Sequence, residues 1–187
     1  RHLDLNHLDS LLKASEASTK IIVTDGVFSQ DGDIAPLPEL LQVAERHDAM
    51  VYVDDAHGTG VLGASGGGIT EHFGVSSERL ICMGTLSKAY GAIGGFVATD
   101  RHIGEILRLT CSAYGFTSTL PPDQVYAVSE AIDIVADEPA REDAVLALRD
   151  GAQRAGQPEA LGDHLRQFFR QKLESDPVWA HLAMRAA

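Results

Sequence analysis

The chain has 187 residues, of which 44% are hydrophobic and 22% charged, and 27 acidic residues against 15 lysines and arginines give a formal net charge of −12. This balance is typical of a globular protein with one sizeable domain and excludes a disordered chain. The acidic charge argues against nucleic acid or an anionic membrane as the partner, since both bind basic patches. Small anionic ligands held in a local pocket remain open.

The cysteines and the hydropathy of the sequence indicate the environment in which we expect the protein to occur. Cys82 and Cys111 cannot form a disulfide framework, so we expect a reducing, cytoplasmic environment. No run of about 18 apolar residues is present, so we expect no membrane span. The sequence opens at Arg1 without an initiator methionine or a signal-peptide core, and we therefore expect it to be part of a longer protein.

Short apolar runs alternate with stretches of helical periodicity along the first three quarters of the chain. This alternation predicts an α/β layered domain with a mostly parallel sheet over residues 1–139, followed by a helical segment over 140–187. Ligands gather at the carboxyl ends of such strands, where Asp54 and Thr85 stand here. The predicted strands are 20–25, 50–54, 79–84 and 94–99, and the predicted helices cover 36–47, 103–109 and 121–139.

The second predicted strand delivers Asp54, Asp55 and His57 into a glycine-rich loop over 58–68. An isolated pattern of this kind is more often a capped turn with an exposed histidine than a functional site. Carboxylate and imidazole groups also bind zinc or iron. No further histidine or cysteine stands nearby at ligand spacing, so we expect no metal.

The third predicted strand leads to Lys88, which is flanked by Thr85 and Ser87 and followed by a glycine-rich turn. A lone lysine in a loop is ordinarily a surface residue, but a desolvated lysine is a nucleophile that forms Schiff bases with carbonyl groups. The residue order matches neither a P-loop nor a Ser-x-x-Lys hydrolase motif. Together with Asp54, these groups could serve pyridoxal phosphate, which needs an amine, a carboxylate and phosphate-binding hydroxyls.

Five segments of the chain, in order, resemble the α-oxoamine synthases, which are pyridoxal-phosphate-dependent acyltransferases of the aspartate aminotransferase fold, fold type I. The resemblance runs from about Leu3 to Pro139 and implies the large domain of that fold, an α/β/α sandwich. Parts that family members carry on either side are missing, so we expect a truncated domain with a weakly matched segment over 140–187. The segments are 28–37, 54–63, 66–68, 84–91 with Gly94 and Gly95, and 116–122.

The resemblance implies catalytic roles for three residues by position. Lys88 matches the lysine that forms the Schiff base with the cofactor and moves the α-proton. Asp54 matches the carboxylate that pairs with the pyridine nitrogen, and His57 matches the imidazole that bonds the phenolic oxygen of the ring. Asp55 is expected to do no chemistry.

Four further residues are implied to bind the cofactor. Ser29 matches a residue near the phenolic oxygen, although apart from the resemblance it is equally well explained as a loop cap. Thr85 matches a hydroxyl that contacts the phosphate. Thr117 and Ser118 match residues that reach the phosphate of the neighbouring subunit's cofactor, which implies a homodimer with a shared active site.

The resemblance implies an enzyme that condenses an amino acid with an acyl thioester, carried on CoA or acyl carrier protein, with loss of CO2. Segments 57–63 and 85–89 favour the branch that uses alanine and a pimeloyl thioester in biotin biosynthesis, whereas 66–68 and 116–118 favour the branch that makes 5-aminolevulinate. One alternative is another fold-type-I enzyme, such as a lyase or an aminotransferase, although aminotransferases usually have tyrosine where His57 stands. The other alternative is an inactive fragment that serves as a partner subunit, against which the intact Lys88 argues.

Overall fold

The computed structural model describes residues 1–137, so the predicted boundary at Pro139 and the predicted segment 140–187 lie outside the described residues. Helices and strands alternate through most of this range, as the apolar pattern predicts. In chain order the elements are α1 (Leu5–Ala14), β1 (Lys20–Asp25), α2 (Leu37–Arg46), β2 (Ala49–Asp54), α3 (Ile69–Phe73), β3 (Leu80–Thr85), β4 (Gly95–Thr99), α4 (Arg101–Thr110), α5 (Ser112–Gly115) and α6 (Pro122–Asp137).

The four strands form one sheet in the order β1-β2-β3-β4, in which the first three are parallel and β4 is antiparallel to β3. The direction of β4 follows from its short connection, because a parallel pairing needs a crossover of a dozen or more residues. The parallel register sets Asp25 beside Asp54 and Asp54 beside Met83. The predicted α/β class with a mostly parallel sheet is confirmed.

The two faces of the sheet are covered differently. In β2 every second residue is buried and the residues between are half-buried, and β3 follows the same pattern. The buried face packs against α2, whose apolar positions recur at helical spacing. Asp54 and Thr85 belong to the half-buried set and therefore lie on the other face, at the carboxyl ends of their strands. The buried side chains of α2 are Leu37, Leu40, Val43 and Ala44.

The helices were only partly predictable. The predicted helices over 36–47, 103–109 and 121–139 correspond to α2, α4 and α6 within the described range, whereas α1, α3 and the four-residue α5 were not predicted. The signal for α1 was present, because Asp4 caps it by accepting a hydrogen bond from the His7 amide at 2.9 Å. Helix α3 has five residues, too few for a periodic pattern. No helix among the described residues is long and apolar enough to cross a membrane.

Both cysteines are free thiols. Cys82 is 8% exposed in β3, and burial, followed by the charges of Asp55 and Asp54, raises the pKa of its thiol to about 12. Cys82 is therefore a small buried hydrophobic residue of the sheet. Cys111 is half-buried at the end of α4.

Leu3 occupies the left-handed region with a φ of 51° and is 40% exposed. That conformation costs a non-glycine residue about 1 kcal/mol or more, and asparagine tolerates it better. We expect Leu3→Asn to raise the free energy of unfolding, measured in urea, by about 0.5 kcal/mol. The control is Leu11→Asn in α1, where asparagine is the poorer helix former and a small loss is expected. An equal gain at both positions would contradict this explanation.

Candidate active site

The loop after β2 rests directly on the loop after β3. Gly60 has a φ of +77°, and a Cβ built there would lie 2.7 Å from the Cβ of Ala89. A glycine is therefore required on both conformational and steric grounds. Because Gly60 follows His57 by three residues and Ala89 follows Lys88 directly, this contact brings the two predicted motifs together.

Asp54 ends β2 on the half-buried face of the sheet. Its Oδ1 accepts a hydrogen bond from the Ala56 amide at 3.0 Å, which fixes the carboxylate at the start of the turn. Its Oδ2 makes no hydrogen bond within residues 1–137, so it can accept an N–H from a ligand. Asp25, at the end of β1, stands beside it in the parallel register and is exposed.

The His57 imidazole lies in the field of three charged groups. Although its side chain keeps an exposed surface, desolvation by the surrounding protein lowers the pKa of His57, and the Lys88 ammonium lowers it further. The carboxylates of Asp25 and Asp54 act in the opposite direction. These interactions place His57, Lys88 and the two carboxylates in one cluster at the carboxyl edge of the sheet. Asp25 was not singled out from the sequence, although its position at a strand end was a sufficient signal.

The segment that carries Lys88 is ordered by hydroxyl and backbone hydrogen bonds. The Thr85 and Ser87 hydroxyl oxygens are 2.8 Å apart, and the Ser87 amide donates to Thr85 Oγ1 at 3.3 Å. The Gly91 amide donates to the Lys88 carbonyl oxygen at 3.1 Å. Lys88 itself is exposed, so its amine is accessible, and two hydroxyls suited to an anion stand beside it.

Three predicted site residues stand apart from this cluster. Ser29 is exposed in the loop after β1, and Thr117 and Ser118 are exposed between α5 and α6. None of the three side chains makes a hydrogen bond within residues 1–137. The structure therefore brings together Asp54, His57, Thr85 and Lys88 of the predicted set.

Glu71, in α3, holds the glycine-rich loop in place and was missed from the sequence. Its carboxylate accepts hydrogen bonds from the Gly67 amide at 2.7 Å and from the Ser65 hydroxyl at 2.8 Å. Desolvation acts to raise the pKa of Glu71, but these hydrogen bonds outweigh it and lower the pKa. The carboxylate thus ties the end of the loop to the helix that follows it.

Asp55 is 1% exposed, and its Oδ1 has no hydrogen-bond partner among the described residues. Burial raises its pKa to about 6, while the hydrogen bond from the Ile69 amide opposes the shift and the neighbouring Asp54 charge adds to it. The folded chain therefore binds this proton more tightly than the unfolded chain, whose value is 3.8. Stability from this group is present below pH 3.8 and is lost as pH rises towards about 6.

We expect Asp55→Asn to remove that pH dependence. The wild-type chain should lose about 2 kcal/mol from this group between pH 4 and pH 7, a loss that the asparagine variant cannot show. The measurement is the free energy of unfolding in urea of both proteins at several pH values between 4 and 7. The difference between the two proteins is then compared across these pH values. The pKa values of other carboxylates, such as Asp9 and Asp100, are lowered, so the stability that these groups contribute is lost as pH falls. Both proteins contain these carboxylates, so their contributions cancel in the difference between wild type and variant. A pH-independent difference would contradict the assignment.

A cavity of about 510 Å³ opens beside the cluster. Asp25 and Asp54 line one side of it, and Arg1, His2 and Phe28 are also among its lining residues. His57 and Lys88 do not line it. Within the described part of the chain, no group of three or more histidine, cysteine, aspartate or glutamate side chains is placed to hold a metal ion.

Comparisons with known proteins identify the family to which the chain is similar. The family model described as "Aminotransferase class I and II" matches residues 1–155. The 8-amino-7-oxononanoate synthase of Cupriavidus metallidurans is 54% identical over 140 residues, which cover 75% of this chain and 34% of that protein. The chain therefore spans about a third of the length of this relative.

Two solved structures show the same fold. A serine palmitoyltransferase from S. paucimobilis, solved with bound PLP, superposes with a TM-score of 0.71 at 35% identity, covering 79% of this chain and 37% of that one. The 8-amino-7-oxononanoate synthase from Francisella tularensis superposes with a TM-score of 0.66 at 29% identity, covering 79% and 42%.

The chain belongs to the aminotransferase class I and II family. Within that family, the sequence and structural relatives are α-oxoamine synthases, so the resemblance stated from the sequence motifs is confirmed. The predicted fold-type-I class is confirmed by the same structures.

Proposed function

We propose that this chain carries the cofactor-binding part of a pyridoxal-phosphate-dependent acyltransferase that condenses an amino acid with an acyl thioester. The products are an amino ketone, CO2 and the free thiol. The observation that carries the proposal is the cluster of Asp54, His57 and Lys88, whose two loops are held together by the contact between Gly60 and Ala89.

The residues of the cluster fit pyridoxal phosphate. Lys88 offers an exposed amine for the cofactor's aldehyde, and Asp54 offers a carboxylate oxygen that can hold the proton on the pyridine nitrogen. The hydroxyls of Thr85 and Ser87 are paired beside the lysine and can donate to phosphate oxygens. His57 stands within the field of Lys88, where its ring N–H can bond the phenolic oxygen.

The cofactor and the residues of the chain have different roles in the proposed reaction. When bound, pyridoxal phosphate supplies an electron sink for negative charge at the α-carbon of the amino acid. With the cofactor bound, Lys88 Nζ would take the α-proton and return a proton later, acting as a base in its unprotonated form. The nearby His57 keeps a lowered pKa, so its imidazole is neutral at pH 7 and can serve as a hydrogen-bond donor or acceptor. The Asp54 carboxylate holds the ring proton that makes the sink effective.

Of the two branches indicated by the sequence, the relatives support the 8-amino-7-oxononanoate synthase branch, with alanine and a pimeloyl thioester as substrates. We further propose a homodimer with a shared site. The exposed segment with Thr117 and Ser118 supports this arrangement, because its side chains make no hydrogen bond within residues 1–137 and are available to a second subunit.

The test is to titrate the 187-residue chain with pyridoxal phosphate, reduce with borohydride and map the modified peptide. The chain offers sharp internal controls because it has four lysines, Lys13, Lys20, Lys88 and Lys172. We expect saturable absorbance and a single label on Lys88. A folded chain that shows no absorbance change, or label spread over all four lysines, would contradict the proposal.

A further inference from the structure

The buried carboxyl of Asp55 is enclosed by three glycines, one in the loop after β1 and one at each end of the glycine-rich loop after β2. A Cβ added at Gly26 would lie 2.5 Å from Asp55 Oδ1, and one added at Gly58 or Gly68 would lie closer still to a carboxyl oxygen. Gly26 follows β1, Gly58 follows His57, and Gly68 precedes α3. The carboxyl therefore lies where the loop after β1 meets both ends of the loop after β2.

Hydrogen bonds fix Asp55 in this position. Its Oδ2 accepts from the Ile69 amide at 2.9 Å, and its own amide donates to the Met83 carbonyl oxygen of β3 at 2.8 Å. Its carbonyl oxygen accepts from the amides of Gly58 and Thr59 at 3.1 and 2.9 Å. Both the side chain and the backbone of Asp55 thus define the turn that contains His57.

Asp55 cannot act on a ligand directly. The buried residues of β2 are its alternate positions Ala49, Val51 and Val53, and the same alternation continues to Asp55. Asp54 belongs to the half-buried set and faces the other side of the sheet. The two adjacent aspartates therefore serve different sides of the strand end.

We propose that Asp55 is a positioning residue, whose carboxyl packs among Gly26, Gly58 and Gly68 to fix the turn that carries Asp54 and His57 beside Lys88. Its consequence for catalysis rests on the proposed function, but the positioning can be measured without cofactor. What the turn requires is the shape of the side chain and one acceptor for the Ile69 amide. Asparagine supplies both, whereas alanine supplies neither.

The His57 titration reports on the turn. The causes that shift the His57 pKa are desolvation, Lys88, Asp25 and Asp54, so loss of the Asp55 charge alone leaves this pKa unraised. Loss of position raises it, because it relieves the desolvation and the proximity to Lys88 that lower this pKa. The remaining charges that face the imidazole, Asp25 and Asp54, are present in every variant. The direction of the shift therefore distinguishes charge from position.

The experiment is an NMR titration of His57 in the full 187-residue chain, with the resonance assigned from a His57→Gln variant. We expect Asp55→Ala to raise the His57 pKa towards the ordinary value of about 6.5 and Asp55→Asn to leave it unraised. The matched control is Val43→Ala, a buried change in α2 that lowers stability without touching the turn, and it should leave the titration unchanged. An unchanged or lowered value in Asp55→Ala overturns the proposal, as does an equal rise in Asp55→Asn.

Gly26→Ala tests the positioning role of Asp55 if Asp55→Ala does not fold. Its Cβ displaces the same carboxyl from the β1 side, so it should also raise the His57 pKa, and an unchanged or lowered value overturns the proposal. A parallel pyridoxal phosphate titration should show binding about tenfold weaker in the variants with a raised pKa. If the wild-type chain binds no cofactor, the proposed function fails, while the His57 titration still tests the positioning.

Discussion

Replacing Lys88 with alanine is expected to abolish the borohydride-stable attachment of pyridoxal phosphate to the chain. The reason is chemical, because Lys88 is the only lysine among residues 1–137 whose charge acts on His57, beside the carboxylates of Asp25 and Asp54. The measurement is absorbance during titration, followed by reduction and mass analysis. Lys13→Ala is the matched control, since it removes an exposed lysine in the last turn of α1 and should leave attachment intact.

The same variant carries a second readout that needs no cofactor. The Lys88 ammonium lowers the His57 pKa, so its removal should raise that pKa, whereas Lys13→Ala should not. Lys88→Arg retains the charge but lacks a nucleophilic amine, so it should keep the His57 titration and lose the attachment. Attachment that persists in Lys88→Ala would place the covalent site elsewhere.

Replacing Gly68 with alanine is expected to destabilise the chain by roughly 3 kcal/mol or more. Gly68 has φ +81° and ψ −160°, a region open essentially to glycine alone, and the added Cβ would meet Asp55 Oδ2. Both effects act at the start of α3, next to the hydrogen bond between the Ile69 amide and Asp55. The measurement is the free energy of unfolding in urea, with circular dichroism as the signal.

Gly74→Ala separates backbone strain from steric contact. Gly74 ends α3 with φ +61°, and nothing lies within 4 Å of the Cβ that alanine would add. Alanine should cost about 1 kcal/mol there, the conformational term alone. Equal losses at the two glycines would show that the contact with Asp55 adds nothing.

The sheet was predictable because the sequence carries strong local signals for it. Runs such as 50–54 are apolar, short and bounded by turn residues, and the structure places β2 within one residue of that range. The cluster of Asp54, His57 and Lys88 was predictable because strand ends in a parallel sheet converge on one edge. Helix α3 was not predictable, because a helix of five residues is too short to show a helical repeat of apolar positions.

The different environments of Asp54 and Asp55 show how much of the site the sequence pattern specifies. Residue type alone does not distinguish the two aspartates. The resemblance to the family assigned a role to Asp54, and Asp55 was expected to do no chemistry. The alternation through Val51 and Val53 already assigns position 55 to the buried face, so its burial was within reach of the sequence. The contacts of Asp55 with Gly26 and Gly68 could not be predicted from the sequence. They join residues separated along the chain by loops, and no local rule specifies the path of these loops.

The order of the strands in the sheet is also their order in the chain. Each of β2, β3 and β4 therefore pairs with the strand synthesised just before it, so no pairing has to wait for a strand later in this order. During translation these four strands can join in the order in which they are made. The segment with Lys88 lies between β3 and β4, so we expect it to take its place beside Asp54 and His57 only when β4 joins β3.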